Sequence, residues 1–451
     1  MLNYIIRRLL LVPLQLLGVT ALIFAVIQVL SPEERAALYI RDVPKTEKQV
    51  EGIIRKYGLD RPIYEQYWTW LVGREEPDQV RAFHILIRDD QTLAQQVREN
   101  IVRGDPKEIL NRFMEQARRF SAEESSRDKG GDLGSFERGR YPEIEAVAFS
   151  TPPGQVSQVF EGPSGYHIIY VQDFREGRLV GGVLRGNLGY SHSNSQPVAD
   201  LIAGKFPATL ELALWAALPV VGGGIVLGVI AAVNHNRLAD HLARVFSIVG
   251  WSFPTFVFGL LALLVFYVIL GWFGPGRVSQ EASNVIYSPN FTSYTQILTL
   301  DAVLNGRFDI LVDALRHLAM PVITLSYLHW ALMLRVTRSS MLEVLRQDYI
   351  VTARAKGLAE RTVIRKHALP NALMPVVTLG GMTVAGLLGG VVITETVFNY
   401  PGIGRAAAEA ATQVDVVAVL GFTLFIGLIL ILSNLVVDIL YAVIDPRVRL
   451  D

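Results

Sequence analysis

The sequence predicts an all-α polytopic membrane protein with six transmembrane helices and an inserted α+β module. Three observations predict it. Half of the 451 residues are apolar (51%), and they gather into six runs near the roughly 20 residues that cross a bilayer. Basic residues crowd the alternate connections between those runs. Residues 74–178 then break the pattern with a charged stretch much less apolar than its flanks. Lys+Arg and Asp+Glu each number 42, so there is no net charge, which argues against a nucleic-acid partner. With no cysteine in the chain, disulfides and thiolate metal sites are excluded, and the redox compartment is left open.

The six runs lie near residues 9–30, 209–233, 245–270, 318–334, 370–394 and 416–441. The first follows Arg7 and Arg8 and so resembles a secretory signal. Its apolar run is long, however, and Leu30-Ser31-Pro32 is a poor small-residue cleavage site, so a retained helix is expected. Orientation follows from the Lys/Arg bias of short loops. With the N-terminus inside, the inner segments hold Arg7, Arg8, Arg237, Arg244, Arg338, Arg346, Arg354, Lys356, Arg361, Arg365, Lys366, Arg447 and Arg449. The outer loops 271–316 and 398–414 hold Arg277, Arg307, Arg316 and Arg405. Both termini are therefore expected in the cytoplasm, and residues 31–207 outside. Pro219, Gly222, Gly223, Gly224, Pro254, Gly380, Gly381, Gly389 and Gly390 fall within runs. Singly they read as close packing or kinks, and together they suit helices that shift against each other. Glu211 and Asp438 lie near run ends, where an interfacial charge costs little, and neither is assigned a proton relay.

Between Arg335 and Pro370 the pattern predicts two amphipathic helices separated by Gly357. The first covers 340–356, with Met341, Leu342, Val344 and Leu345 on one side. The second covers 359–368, with Val363 and Ile364 apolar and Arg361, Arg365 and Lys366 basic. Gly357 supplies the φ > 0 conformation that a sharp reversal needs. On residue chemistry alone two readings stand side by side. One is a short helix seated in a groove of a soluble partner; the other is a basic hairpin resting on anionic lipid.

The stretch 348–375, DYIVTARAKGLAERTVIRKHALPNALMP, resembles the EAA loop of ABC importer inner-membrane permeases, in the form used by the dipeptide/oligopeptide/nickel family. Ala353, Gly357, Leu369 and Pro370 fall where that motif has its Ala, Gly, Leu and Pro. Val351 stands at its leading Glu, Thr352 at its second residue and His367 at its Ile, departures usual in the peptide branch. The similarity continues through YIIRRLLLVPLQLLGV at the start, YGLDRPIYEQYWTWL at 57–71, RGNLGYS at 185–191 and FPATLELA at 206–213. It resumes in ETVFNYPGIGR at 395–405 and VDILYAVIDPRVR at 437–449. The resemblance implies the ABC importer permease fold in a bacterial cytoplasmic (inner) membrane. It implies a second homologous permease, two cytoplasmic ATPase subunits and an extracytoplasmic substrate-binding protein as partners, with peptides the leading cargo. The ATPase-coupling residues it implies are Asp348, Thr352, Ala353, Arg354, Ala355, Lys356, Gly357, Leu358 and Pro370, within a loop spanning 338–370. No GxxxxGK[ST] loop occurs in the chain, so ATP hydrolysis by that route is expected on the partner chains. ATP and Mg would be bound there, with no cofactor on this chain.

Residues 74–178 stand apart. In the permease family WTWLVG would run almost directly into GVLRGNLGYS. The intervening pattern predicts a strand at 82–87, helices at 92–103 and 106–120, a Gly-rich turn at 130–134, a helix at 142–149, and closing strands at 156–160 and 165–172. It resembles a parvulin-type peptidyl-prolyl isomerase, through RAFHILI, EILNRFMEQARRFS, GGDLGSFERG, EAVAF, PGQVSQVF and SGYHIIYV in that order. Both core histidines match, as His84 and His167, and Glu123 falls near the polar Cys/Asp position. The pocket Phe aligns with Ile144, and the Met with Arg140 or Tyr141 across an apparent one-residue deletion, so the proline pocket is expected to be damaged. His84, Glu123 and His167 are thus a candidate isomerase site, against the alternative of a mutually satisfied buried histidine pair. No third clustered ligand accompanies them for zinc. A docking or chaperone role for the module is favoured.

The expected organisation is 1–73 for the first helix and the start of an extracytoplasmic region, 74–178 for the module, and 182–451 for the permease core. A transport subunit that is not itself an enzyme is the leading reading. A membrane-anchored foldase explains the module but needs one anchor, not six spans. A lipid-binding scaffold leaves Gly357 and ETVFNYPGIGR unexplained.

Overall fold

The computed structural model describes residues 2–37 and 47–444. They form two compact units, Met1–Tyr67 with Gly186–Asp451, and Trp68–Arg185.

In the first unit, three helices among the described residues are long and apolar enough to cross a membrane: Leu9–Ile27, Val198–Val233 and Val416–Ile439. The count rises to five if each of two bent pairs is one span. The expected run 245–270 is one of these pairs, Leu238–Ser252 and Thr255–Ile269, bent by 103°. Pro254 explains the bend: its ring disfavours the helical region for Phe253, which is extended at φ −86°, ψ 126°. The run 370–394 is the other pair, Glu360–Ala372 and Met374–Leu388, bent by 57° and ending before Gly390 turns at φ +96°. The run 318–334 lies inside the 37-residue helix Phe308–Val344, which is not among these candidates. It carries His317, Ser326, His329 and Arg335. Arg447 and Arg449 lie outside the described residues.

The Val198–Val233 and Phe308–Val344 helices share a core of Leu212, Ala216, Val220, Leu318 and Leu325. Glycine lets them touch. A Cβ at Gly224 would come within 2.5 Å of Met333, and one at Gly228 within 2.4 Å of Thr337. Small residues at a helix seam give this close backbone approach.

The second unit is an antiparallel sheet flanked by helices. Its strands are β1 (Arg74–Glu76), β2 (Gln79–Ile87), β3 (Asp132–Glu137), β4 (Phe160–Gly162), β5 (Gly165–Arg175) and β6 (Arg178–Val180). Four of them pair in the order β3-β2-β5-β4, and β1 pairs with β6. Alternation along β2 and β5 sorts the side chains onto two faces. Phe83, Ile85, Ile87, Ile168 and Tyr170 meet the helices Gln91–Val102 and Ile109–Phe120. Ala82, Ile169 and Val171 meet Ile144 and Ala148 of the helix Pro142–Ser150.

Three expectations need correcting here. The 130–134 turn is shorter, because β3 already starts at Asp132 and pairs with Phe83. The strand expected at 156–160 is one bridge, Val156 to Tyr170, and regular pairing starts only at Phe160. Ser157 takes over in between, its Oγ accepting from the Ile169 amide, so a side chain replaces a ladder bond. The β1–β6 ladder has no counterpart in the expected pattern; it closes the base of the module, and a Cβ at Gly182 would lie 2.4 Å from the Val72 carbonyl carbon.

Candidate functional site

The 338–370 loop is built around one apolar cluster. Ile350, Ala353, Val363, Ala368 and Ala372 pack with Met341 and with Ala232 at the end of the Val198–Val233 helix. The expected single helix 340–356 is broken: Phe308–Val344 ends, residues 345–347 turn, and Asp348–Ala355 begins after extended Gln347. A straight helix would hold Met341 and Ile350 about 13 Å apart along its axis; the break lets both enter one cluster. Asp348 then sits in the first turn of its helix, where a negative charge meets the positive helix end.

Gly357 turns at φ +75°, and a Cβ placed on it would meet nothing within 4 Å. Arg354 reaches across the turn to Glu360, at 2.7 and 3.1 Å, and its guanidinium holds the Glu360 carboxyl below the ordinary range. The chain after the turn runs as Glu360–Thr362, a wider π-helical turn Val363–Ala368, and Leu369–Ala372. Pro370 accounts for the widening, since it has no N–H to donate and its ring crowds the carbonyl four residues back. Of the expected coupling residues, Ala353 is buried, while Asp348, Thr352, Arg354, Ala355, Lys356, Gly357, Leu358 and Pro370 are exposed. Tyr349, Val351 and Leu358 are exposed apolar side chains at the same turn. The helix therefore seals one side against its own unit and leaves the other free.

The second centre lies on the sheet of the inserted unit. β2 and β5 place His84 opposite Ile169 and Leu86 opposite His167, so the histidines are diagonal neighbours on one face. His84 Nε2 and His167 Nδ1 share a hydrogen bond at 2.9 Å. Burial lowers the His84 pKa to about 3, helped by His167. Burial also lowers His167, while the charges of Glu143 and Glu123 pull it upward. Both rings are thus neutral near pH 7. Phe160 stacks on His167 at 5.2 Å. His167 Nε2 is buried with no hydrogen-bond partner, and lies 3.8 Å from Glu143 Oε2.

Glu123, the expected third member, accepts a bond from Ser125 and acts on His167 through its charge. Glu143 is the nearer carboxylate; its place at the start of the Pro142–Ser150 helix was the available signal. Ile144 is buried against Ala82, Phe136 and Ile169. Tyr141 lies edge-on to Phe136 at 4.9 Å, and the Arg140 guanidinium lies over the Tyr141 ring.

The membrane unit also holds buried carboxylates whose partners sequence reading did not supply. Glu211, in the helix that starts at Val198, is fully buried within the unit. It accepts from Arg277 Nε and Nη2 at 2.9 and 2.7 Å, the Thr299 amide at 2.6 Å and Tyr400 Oη at 3.1 Å. Glu395 accepts from Thr209 Oγ1 at 2.9 Å and the Arg405 amide at 2.8 Å. Asp240 takes Arg338 at 2.6 and 2.9 Å. The ETVFNYPGIGR stretch thereby acquires a structural reason. Gly402 lets the backbone approach Glu395, whose Cδ lies 2.4 Å from where a Cβ would be.

These features can be set beside known proteins. A family described as binding-protein-dependent transport system inner membrane component matches residues 224–450. Its N-terminal companion, the membrane component N-term family, matches residues 1–81. The PPIC-type PPIASE domain family matches residues 84–173. The dipeptide transport system permease protein DppB of Escherichia coli (strain K12) is 40% identical over 270 residues, covering 60% of this chain and 79% of that protein. The di/tripeptide transport system permease protein DppB of Pseudomonas aeruginosa (strain UCBPP-PA14) is 42% identical over 271 residues, covering 60% and 79%. The probable D,D-dipeptide transport system permease protein DdpB of Escherichia coli (strain K12) is 41% identical over 281 residues, covering 62% and 80%. The chain belongs to the family of binding-protein-dependent transport system inner membrane components, as a multi-pass inner-membrane permease with a parvulin-like domain inserted in it.

Proposed function

We propose that this chain is the permease subunit of an ATP-driven peptide importer, coupled to its motor through the loop 338–370. The observation that carries the reading is the two-sided helix Asp348–Ala355. Ile350 and Ala353 seal it against Met341 and Ala232, while Tyr349, Val351, Thr352 and Leu358 stay exposed for a partner. Ala232 lies in the last turn of the helix that carries Glu211 some 30 Å away, at 1.5 Å rise per residue. Movement imposed at the loop is thus carried along one element across the bilayer. Relatives named for dipeptide and di/tripeptide transport support peptides as the cargo. The complete assembly has a second homologous permease, two ATPase subunits binding ATP and Mg, and an external binding protein. The chain crosses the membrane six times, with Phe308–Val344 supplying the fourth span, both termini in the cytoplasm and the inserted module outside.

Co-purification from native membranes in mild detergent, with mass spectrometry, tests this. Two ATPases and a second permease are expected; a lone chain would overturn the reading. Gly357→Val should remain in the membrane yet lose uptake and ATPase retention, because a β-branched residue resists φ +75°. Full uptake by that variant would remove the loop from the coupling path.

A second reading concerns the module. The match of residues 84–173 to the PPIC-type PPIASE domain family supports a prolyl isomerase centre at the hydrogen-bonded His84–His167 pair, with Glu143 rather than Glu123 beside it.

A further inference from the structure

We infer that the turn 234–237 and the helix Leu238–Ser252 form a binding site for an anionic phospholipid. The headgroup phosphate sits on His235, His241 and Arg244, and an acyl chain lies along the apolar face of the helix. The chemistry does not depend on the importer reading; the leaflet, the cytoplasmic one, rests on the topology proposed above.

The first support is a cluster with positive charge to spare. Asp240 is fully buried and accepts from Arg338 Nε and Nη2 at 2.6 and 2.9 Å. Its Oδ2 also accepts the Asn236 amide at 3.0 Å, which pins the turn with Asn236 at φ +59°. Arg338 and the backbone thus occupy this carboxylate. Arg244 approaches it at 3.6 Å and keeps 43% of its side chain exposed. These contacts join one carboxylate to two guanidiniums, leaving one positive charge in excess.

The second is the direction of the protons. Arg244 Nη2 lies 2.9 Å from His241 Nδ1, and Arg338 Nη2 lies 3.2 Å from His235 Nδ1. A guanidinium only donates, so each Nδ1 accepts and each ring carries its proton on Nε2. Both histidines are exposed. Their free nitrogens are therefore donors, like the rest of Arg244. Donors with a net positive charge suit an oxyanion such as a phosphate, which takes several charge-assisted hydrogen bonds.

The third decides which anion. Leu238, Leu242, Val245 and Val249 are exposed at 72, 59, 57 and 42%. Their spacing puts them on one helix face. His241 precedes Leu242 and Arg244 precedes Val245, so the donors flank that face. The apolar track is about 16 Å long at 1.5 Å rise per residue, the depth of one leaflet in a hydrocarbon core about 30 Å thick. A free phosphate makes no use of such a track. A phospholipid matches both parts, with its charge on the basic flank and its chain on the apolar face. Arg338 also opens the loop 338–370, so a headgroup held here lies at the base of that loop.

The test is native mass spectrometry of the assembly purified in mild detergent, with phosphatidylglycerol and phosphatidylcholine added in equal amounts. The natural chain should retain phosphatidylglycerol in preference. Arg244→Gln should lower that preference about five-fold, the worth of one basic residue near an anionic surface, while Arg244→Lys should keep most of it. His241→Leu, at an exposed position, should lower it about two-fold or more by removing one donor, and serves where Arg244→Gln does not fold. Arg361→Gln/Arg365→Gln, which removes exposed charges of the neighbouring loop, should leave it unchanged. Equal retention of the two lipids by the natural assembly would overturn the inference, as it would if a second permease covered this face. So would an undiminished preference in both Arg244→Gln and His241→Leu, or an equal loss in Arg361→Gln/Arg365→Gln, which would mean diffuse attraction. Displacement of the lipid by excess inorganic phosphate would overturn it too, since the site would then hold a free anion.

Discussion

Glu211 in the membrane unit and His167 in the inserted unit are equally hidden, at 0% and 1% exposure, yet their surroundings differ. Glu211 takes four hydrogen bonds, two from Arg277 and one each from Thr299 and Tyr400. His167 has its Nδ1 bound to His84 and its Nε2 bound to nothing. A buried polar group is costly until satisfied. Complete satisfaction marks a tie point that holds elements together, and His167 shows no such set of partners. Glu395 and Asp415 belong with Glu211. Asp415 accepts from Ser191 Oγ, the Ser193 amide and Ser193 Oγ on one oxygen and from the Ala418 amide on the other, tying RGNLGYS to the last helix.

The strongest way to break the comparison is to empty a tie point. Glu211→Ala leaves Arg277 facing a void, and losing one partner of a buried pair costs about 3–5 kcal/mol. The low end is expected, because Arg277 keeps 22% exposure. Thermal unfolding of the purified chain in detergent should show the loss, and an unchanged midpoint would mean that the carboxylate ties nothing.

A smaller effect, about 2 kcal/mol over the window from pH 6.5 to 5, sharpens the other side. The folded-state pKa of His84 is about 3 against an ordinary 6.5, so between those values the unfolded chain binds more protons and stability rises with pH. The module's stability is complete above about pH 6.5 and declines as pH falls toward 3, by about 1.4 kcal/mol per unit of depression once fully titrated. Proteolysis within 74–178 should therefore quicken between pH 6.5 and 5 in the natural chain, and less so in His84→Gln. Equal slopes would show that His84 is not held neutral by burial.

The smallest effect is predicted for excision. Residues 73 and 182 already meet at the β1–β6 base, so deleting 74–178 and joining the flanks should leave the membrane unit inserted and Ala-Ala uptake intact. Loss of the inserted protein would mean that the permease needs the module to fold.

Much of this was legible in the residues. The reversal at Gly357 is a local property: only a residue at ease with φ > 0 turns the chain there. The apolar runs, the amphipathic helices of the module and the break at Pro254 were likewise written in side-chain type, though Pro254 reads as a kink and is a 103° bend. The histidines 83 positions apart in the chain were legible only through family resemblance, since nothing in their spacing says that β2 and β5 pair. The strand expected at 156–160 failed because Ser157 Oγ competes for the ladder, which no alternation pattern reveals.

The sequence by itself determined where the chain must turn and which stretch is foreign to the permease, and it marked the apolar segments, though the run 318–334 is not among the helices long and apolar enough to span. Only the tertiary structure decided that Glu211 is a buried hub of hydrogen bonds. Its partners lie 66, 88 and 189 positions away, at Arg277, Thr299 and Tyr400. The physical reason is that hydropathy and propensity act over a turn or two of chain, whereas burying a charge depends on donors that packing brings from distant segments.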